Sequence, residues 1–264
     1  MLRMLRCPAL ILVLLFANCL AWGQSPCADC KDVWTLDGYP PEGTFSSPIV
    51  IDLEGKNFDG AFTSLEDGIR WDFVGNGRPF QLAWTNPKRR IGFLVLDRPN
   101  KGYSVPAGTT PEPPNGLIDS GRELFGDITR QPLSDEDNAE IQHDIAAQAA
   151  KGLPPTHWQP NGFRALAFFD RPMYGGNNDG MISSADSIWP QLKVWVDTTH
   201  DGVSTHGKMY TLDELGVESI STKFVTSPRK DSHGNELRFQ GTIQMARPTS
   251  TVPMIYDVFF ISSN

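Results

Sequence analysis

The chain of 264 residues carries 23 Lys and Arg against 31 Asp and Glu, a formal net charge of −8, and 39% of its residues are hydrophobic. This apolar content is enough for a folded core, and the acidic balance argues against a nucleic-acid-binding protein. With 24 glycines and 21 prolines, the sequence predicts many short elements joined by turns.

The first 23 residues have the pattern of a secretory signal peptide. Two arginines precede an apolar run over residues 9–16, which is shorter than the roughly 20 residues needed to span a bilayer. Ala21 and Gly23 then supply the small residues of a cleavage site. We therefore expect a secreted protein, extracellular or periplasmic, with no transmembrane helix in the mature chain.

Cys27 and Cys30 are the cysteines expected to remain after cleavage, in an amino-terminal tail over residues 24–46. A thioredoxin-like pair would stand at the start of a helix in a βαβ unit, so the position of this C-x-x-C pair favours a local disulfide. A lipoprotein acylated at Cys19 is an alternative that Asn18, a poor residue before such a cysteine, disfavours.

Residues 47–264 are predicted to form one α+β domain of short antiparallel strands, with small helices flanking loops. β-branched and aromatic runs predict strands over residues 48–53, 69–73, 80–85, 91–96, 217–225, 237–245 and 254–261, with a hairpin around residues 227–235. Helix signals predict one long helix over residues 134–152, short helices over 163–169 and 185–189, and a capping box at 211–214. The proline-rich residues 98–115 read as an inserted loop.

A short pattern occurs three times: an oxygen-bearing side chain, glycine, an apolar residue, Ile or Ser, and a second oxygen-bearing side chain. The copies lie at residues 115–119, 179–183 and 201–205. Calcium takes six to eight oxygen ligands from alternate side chains and one backbone carbonyl, with glycine at the sharp bend. One such copy alone would be an ordinary turn, but three copies with flanking acids predict calcium loops.

Each copy extends to a set of candidate calcium ligands. The first set is Asp97, Asn115, the Leu117 carbonyl, Asp119 and Glu123, with Glu123 one residue beyond the usual closing position. The second and most complete set is Asp170, Asn177, Asp179, the Met181 carbonyl, Ser183 and Asp186, with residues 171–176 as an insertion. The third set is Asp197, Thr199, Asp201, the Val203 carbonyl and Thr205. There, Lys208 stands where a bidentate acid should close the loop, which predicts a weak or empty site.

At these loops the sequence resembles the calcium-binding, EF-hand-like module of bacterial RTX-type (haemolysin-type calcium-binding) exported proteins and their stand-alone secreted relatives. The segments that carry the resemblance are residues 93–97, 115–127, 161–166, 192–197 and 212–216, of which 121–127 is the most specific. The resemblance covers residues 48–221 and extends weakly to 256–260. It implies calcium binding in a non-catalytic exported protein. Because calcium neutralises a cluster of acids, we expect it to stabilise the fold, and a surface or adhesion contact is a candidate further role. The two insertions and Lys208 depart from the family pattern.

Two other classes of function compete with this interpretation. A secreted metal-dependent hydrolase could use the E-x-x-H pair Glu140 and His143, a zinc site at His200 and His206, or an acid pair at Glu123 and Asp127. A calcium-independent module that binds carbohydrate or a protein partner could present exposed tryptophans, for which the candidates are Trp34, Trp71, Trp84 and Trp158.

Overall fold

The computed structural model describes residues 47–75, 77–97, 115–129, 161–247 and 253–263, together with the isolated residues 143, 146, 147, 150 and 251. The predicted signal peptide, the tail with Cys27 and Cys30, and all but isolated positions of the helix predicted over 134–152 lie outside these residues.

The described part of the chain is built mainly from β-strands, so the predicted α+β class is wrong and the fold is all-β. Its strands are β1 (Ile49–Asp52), β2 (Ile69–Trp71), β3 (Phe80–Leu82), β4 (Ile91–Val95), β5 (Met181–Ser183), β6 (Lys193–Val196), β7 (Lys208–Thr211), β8 (Val217–Ser221), β9 (Val225–Lys230), β10 (Glu236–Gln240), β11 (Ile243–Met245) and β12 (Met254–Phe259). The continuous ranges contain one α-helix, α1, which covers Gly162–Ala167. The isolated residues 143, 146 and 147, within the helix predicted over 134–152, are also α-helical.

The strands form three antiparallel sheets. The largest has the order β7-β6-β4-β1-β12-β10-β9, with β1 hydrogen-bonded between β4 and β12. A three-stranded sheet has the order β11-β8-β5, and β2 pairs with β3. The predicted hairpin around residues 227–235 joins β9 to β10, but β8 and β11 pair with each other in the smaller sheet. The two long predicted strands are therefore each divided between two sheets.

The centre of the large sheet is buried on both faces, whereas its edge strands β7 and β9 are largely exposed. All residues of β1 and β4 are buried, which explains why these strands read as continuous apolar runs without alternation. Ile49 and Ile51 pack against α1 and the three-stranded sheet. Val50 faces the opposite way, towards the side chains of β2 and β3. This gives three layers with a separate core on each side of the central sheet.

The short helices follow their local signals only in part. Asn161 caps α1 by accepting a hydrogen bond from the Arg164 N–H, and the chain continues as a 3-10 turn over Phe168–Asp170, as predicted for residues 163–169. The helix predicted over 185–189 is a turn followed by a 3-10 helix over Trp189–Gln191. Thr211 and Glu214 make both capping-box bonds around a turn, without a helix. These segments are too short for the hydrogen bonds of a helix to offset the free-energy cost of nucleating it.

Two of the four tryptophans considered for a carbohydrate surface lie in the core. Trp84 is fully buried and Trp71 is 6% exposed. Trp34 and Trp158 lie outside the described residues. In the ranges that the structure describes, no helix combines the length and apolar character needed to cross a membrane.

Candidate metal centre

Three loops carry the repeated pattern: loop 1 (Asp97 with residues 115–123), loop 2 (residues 170–186) and loop 3 (residues 197–208). They share one backbone conformation. The glycine of each loop has a positive φ, which only glycine adopts without strain, and the side chain before it accepts a hydrogen bond from the N–H two residues later. The glycines are Gly116, Gly180 and Gly202, with φ of 81°, 84° and 69°. The acceptors are Asn115, Asp179 and Asp201, at 2.8, 2.8 and 3.0 Å.

Loop 1 is assembled from two separate pieces of chain. The Asp97 carboxylate accepts hydrogen bonds from the N–H groups of Asn115 at 3.2 Å and Gly116 at 2.8 Å. The Asn115 amide donates to Asp119 Oδ2 at 3.0 Å, and the Asp119 N–H donates to Glu123 Oε2 at 2.7 Å. The structure therefore brings the predicted side chains of loop 1 together through a series of hydrogen bonds from Asp97 to Glu123.

Loop 2 repeats this arrangement around its six-residue insertion. The Asp170 carboxylate accepts from the N–H groups of Asp179 at 3.1 Å and Gly180 at 2.8 Å. The Asn177 amide donates to Asp179 Oδ2 at 2.8 Å. Met181 begins β5, which also contains Ser183. All six predicted ligands of loop 2 thus lie within one closed loop, and the insertion leaves its geometry intact.

The closing acids of loops 1 and 2 are buried and each leaves one oxygen without a hydrogen bond. Glu123 Oε2 accepts the N–H groups of Asp119 and Ser120, while Glu123 Oε1 has no hydrogen-bond partner among the residues that the structure describes. Asp186 Oδ2 accepts the N–H of Ser183 at 2.8 Å, while Asp186 Oδ1 has no partner. A buried carboxylate oxygen without a partner is costly, so both atoms fit the ligand of a cation.

The extra residue in loop 1 is absorbed by a 3-10 turn over Gly121–Glu123. This turn lets Glu123 bond the Asp119 N–H in the same way that Asp186 bonds the Ser183 N–H. Burial raises the pKa of Glu123 to about 8, although the N–H groups of Asp119 and Ser120 oppose the shift. A bound cation would favour the ionised form of this carboxyl group.

Loop 3 satisfies its opening aspartate entirely within the protein. Asp197 Oδ2 accepts from the Trp84 indole at 2.9 Å and from the Gly202 N–H at 2.9 Å. Asp197 Oδ1 accepts from the His200 N–H at 2.8 Å and lies 3.2 Å from the Thr199 hydroxyl. Asp197 is only 2% exposed, and three N–H donors already surround its carboxylate. The Thr199 hydroxyl has a single proton and lies closer to Asp201 Oδ1, at 3.0 Å.

The remaining groups of loop 3 also lack the arrangement of a metal site. Asp201 Oδ2 contacts His206 Nδ1 at 2.8 Å, and this contact lowers the pKa of Asp201. Lys208 is exposed on β7, so no acid closes the loop. The structure thus places Asp197, Thr199, Asp201 and Val203 together, in a loop held by hydrogen bonds.

The hydrolase candidates do not converge in the described residues. The ring nitrogens of His200 contact the Thr85 and Asp67 carbonyls at 2.9 and 2.8 Å, while His206 contacts Asp201. Throughout the ranges described, no group of three or more His, Cys, Asp or Glu side chains has the arrangement of a metal site. The three acids predicted for loop 1 and the three predicted for loop 2 are among the residues covered by this finding, so calcium binding at these loops stays a prediction.

Sequence reasoning missed that Asp127 and Asp257, both buried, are neighbouring acids. Asp127 Oδ1 accepts the Ser47 N–H at 3.0 Å, and the Asp127 N–H donates to Ser47 Oγ at 3.0 Å. Asp257 on β12 accepts the Gly162 N–H at 2.5 Å. The only signal in the sequence was an aspartate within each of two otherwise apolar segments. Asp127 bonds Ser47 and does not form an acid pair with Glu123.

Comparison with known proteins assigns the chain to a family. A family model described as the SPM domain matches residues 110–261, more than half of the chain, and its match contains the three glycines of the loops. The iron-regulated protein FrpA of Neisseria meningitidis serogroup C is 28% identical over 195 residues. That alignment covers 74% of this chain and 14% of the relative, so the chain spans a small part of that protein's length. The chain belongs to the SPM-domain family.

Proposed function

We propose that the protein is an exported, non-catalytic calcium-binding protein in which loops 1 and 2 each hold one ion. The observation that carries this proposal is the pair of buried oxygens, Glu123 Oε1 and Asp186 Oδ1, that have no hydrogen-bond partner. Each belongs to an acid at the closing end of a loop whose other oxygens come from side chains and one carbonyl. Loop 3 lacks such an oxygen and is proposed to remain free of metal.

The donor atoms of the two loops match the preference of calcium for oxygen ligands. Loop 1 offers Asp97, Asn115, the Leu117 carbonyl, Asp119 and Glu123. Loop 2 offers Asp170, Asn177, Asp179, the Met181 carbonyl, Ser183 and Asp186. Oxygen sets of this size, completed by water, suit calcium better than zinc, which favours nitrogen and sulfur.

Bound calcium would supply positive charge where the protein has concentrated negative charge. The ion would stabilise the ionised form of Glu123, whose burial otherwise favours the protonated form. A ligand that binds only the folded state stabilises it, by about 2.7 kcal/mol at a hundredfold excess over Kd. We therefore assign calcium a role in stability, and the predicted signal peptide supports an exported location where calcium is abundant.

A calcium titration tests this function directly. We expect isothermal titration calorimetry of the purified protein to show two sites. Glu123→Gln and Asp186→Asn should each weaken one site at least tenfold, about 1.4 kcal/mol, and leave the other unchanged. Both substitutions keep an oxygen that can accept the N–H of Asp119 or Ser183, so they change charge more than shape.

Asp201→Asn is the control, because it neutralises an acid of loop 3 that stands at the position of Asp179 in loop 2, whereas the closing position of loop 3 holds Lys208. This variant should retain both sites. A flat titration of the unaltered protein would refute the proposal, and loss of a site in Asp201→Asn would refute the assignment of loop 3.

A further inference from the structure

Loops 1 and 3 are joined by one buried hydrogen bond between equivalent positions. The Ile118 N–H donates to Ser204 Oγ at 2.9 Å, and these residues are 2% and 8% exposed. Ile118 stands two residues after the glycine of loop 1, and Ser204 stands two residues after the glycine of loop 3. Loops 1 and 2 have isoleucine at this position, whereas loop 3 has a hydroxyl group.

The hydrogen bond holds a peptide group that also carries a proposed calcium ligand. The Ile118 N–H and the Leu117 carbonyl belong to the same peptide unit. In a planar trans peptide these two groups point in opposite directions. Because Ser204 Oγ holds the Ile118 N–H, the Leu117 carbonyl of the same peptide unit points away from Ser204. Loop 2 holds its corresponding peptide group within β5, which pairs with β8.

The backbone of loop 3, which carries Ser204, is held in place by hydrogen bonds to other parts of the protein. The Trp71 indole donates to the Gly202 carbonyl at 3.0 Å, and the Trp84 indole donates to Asp197. The two ring nitrogens of His200 contact the backbone carbonyls of Thr85 and Asp67, which lie in two other segments of the chain. Ser204 is thus presented by a loop anchored to the aromatic core without any metal.

We propose that Ser204 is a positioning residue for calcium in loop 1, and that loop 3 serves as the metal-free partner that orients the Leu117 carbonyl. This inference rests on the proposed function of loop 1. It assigns a task to the loop that has the pattern of a calcium site but lacks its closing acid.

The test uses variants in which one of the two proposed calcium sites is weakened, so that the measured calcium Kd is that of the other site. In an Asp186→Asn background, which leaves loop 1 to report, Ser204→Ala should raise the calcium Kd by about three- to tenfold, as expected for one lost hydrogen bond. In a Glu123→Gln background, which leaves loop 2, Ser204→Ala should not change the Kd. Ser204→Thr keeps the hydroxyl group and should restore the affinity of loop 1.

Thr205→Ala removes the neighbouring exposed hydroxyl group and is the control. A lower melting temperature in Ser204→Ala with an unchanged Kd of loop 1 would show a purely structural role and overturn the inference. An equal loss of affinity in loop 2 would overturn it as well. An Asp186→Asn protein that binds no calcium would refute the proposed function of loop 1, and the inference with it.

Discussion

Asp257→Asn is expected to remove a substantial share of the stability that the unaltered protein loses between about pH 5 and about pH 8, a loss to which Asp127 and Glu123 also contribute. Burial raises the pKa of Asp257 to about 8 and that of Asp127 to about 7. The Gly162 N–H opposes the shift of Asp257, and the neighbouring Asp127 carboxyl group adds to it. Arg238 is the cation whose charge acts on both acids, in the opposite sense to burial.

The sign of the effect follows from the number of protons bound in each state. Near pH 5 the folded state holds protons on Asp127 and Asp257, whereas the unfolded chain has released them. The folded state therefore binds more protons than the unfolded state, and its stability falls as the pH rises towards the folded-state pKa values. The slope is at most about 1.4 kcal/mol per pH unit for each group.

Urea unfolding at several pH values, with calcium held constant, measures this slope. We expect Asp257→Asn to gain on the order of 3 kcal/mol relative to the unaltered protein across the window. Asparagine keeps an oxygen for the Gly162 N–H, so the substitution mainly removes the charge. Glu218→Gln, the same change at an exposed position of β8, is the control. Parallel curves for all three proteins would contradict the prediction.

Trp84→Phe is expected to lower the free energy of unfolding by about 3 kcal/mol. The Trp84 indole donates to Asp197 Oδ2 at 2.9 Å, and both side chains are buried. A hydrogen bond to a charged group contributes about 1.5–3 kcal/mol, and the smaller phenylalanine ring also loses packing. In the variant, the buried Asp197 carboxylate accepts one hydrogen bond fewer.

Trp195→Phe is a closely matched control. Trp195 is also fully buried, and its ring centroid lies 5.9 Å from that of Trp84. Its indole nitrogen has no hydrogen-bond partner, so the substitution removes a ring without breaking such a bond. We expect a loss of about 1 kcal/mol, from packing alone. Equal losses in the two variants, measured by urea unfolding, would show that the bond to Asp197 contributes little.

The strands were predictable because their composition is locally distinctive. Residues 49–52 and 91–95 consist almost entirely of large apolar side chains, and both are strands buried on two faces. The α+β class was wrong because capping signals such as Thr211 with Glu214 also stabilise isolated turns. The division of residues 217–245 between two sheets depends on pairing partners far along the chain, which local pattern does not encode.

The loops were predictable for the same local reason, since glycine and oxygen-bearing side chains recur at fixed spacing. Lys208 distinguishes loop 3 in the sequence because the closing acid is missing there, and the weak or empty site that this predicts stays a prediction. The hydrogen bonds that loop 3 makes with distant parts of the chain could not be predicted from the sequence. The bond from Trp84 to Asp197 joins residues 113 positions apart, and that from Ile118 to Ser204 joins residues 86 apart. Which residues meet over such distances in the sequence is determined by how the sheets pack together.

The split construction of loop 1 has a consequence for protein engineering. Two backbone hydrogen bonds tie Asp97 to Asn115 and Gly116, so the ligand geometry does not depend on a fixed length of connecting chain. Doubling the length of a flexible loop costs only about 0.6 kcal/mol in closure entropy. A reporter domain could therefore be inserted between these two pieces as a way to follow the calcium binding that we propose for loop 1.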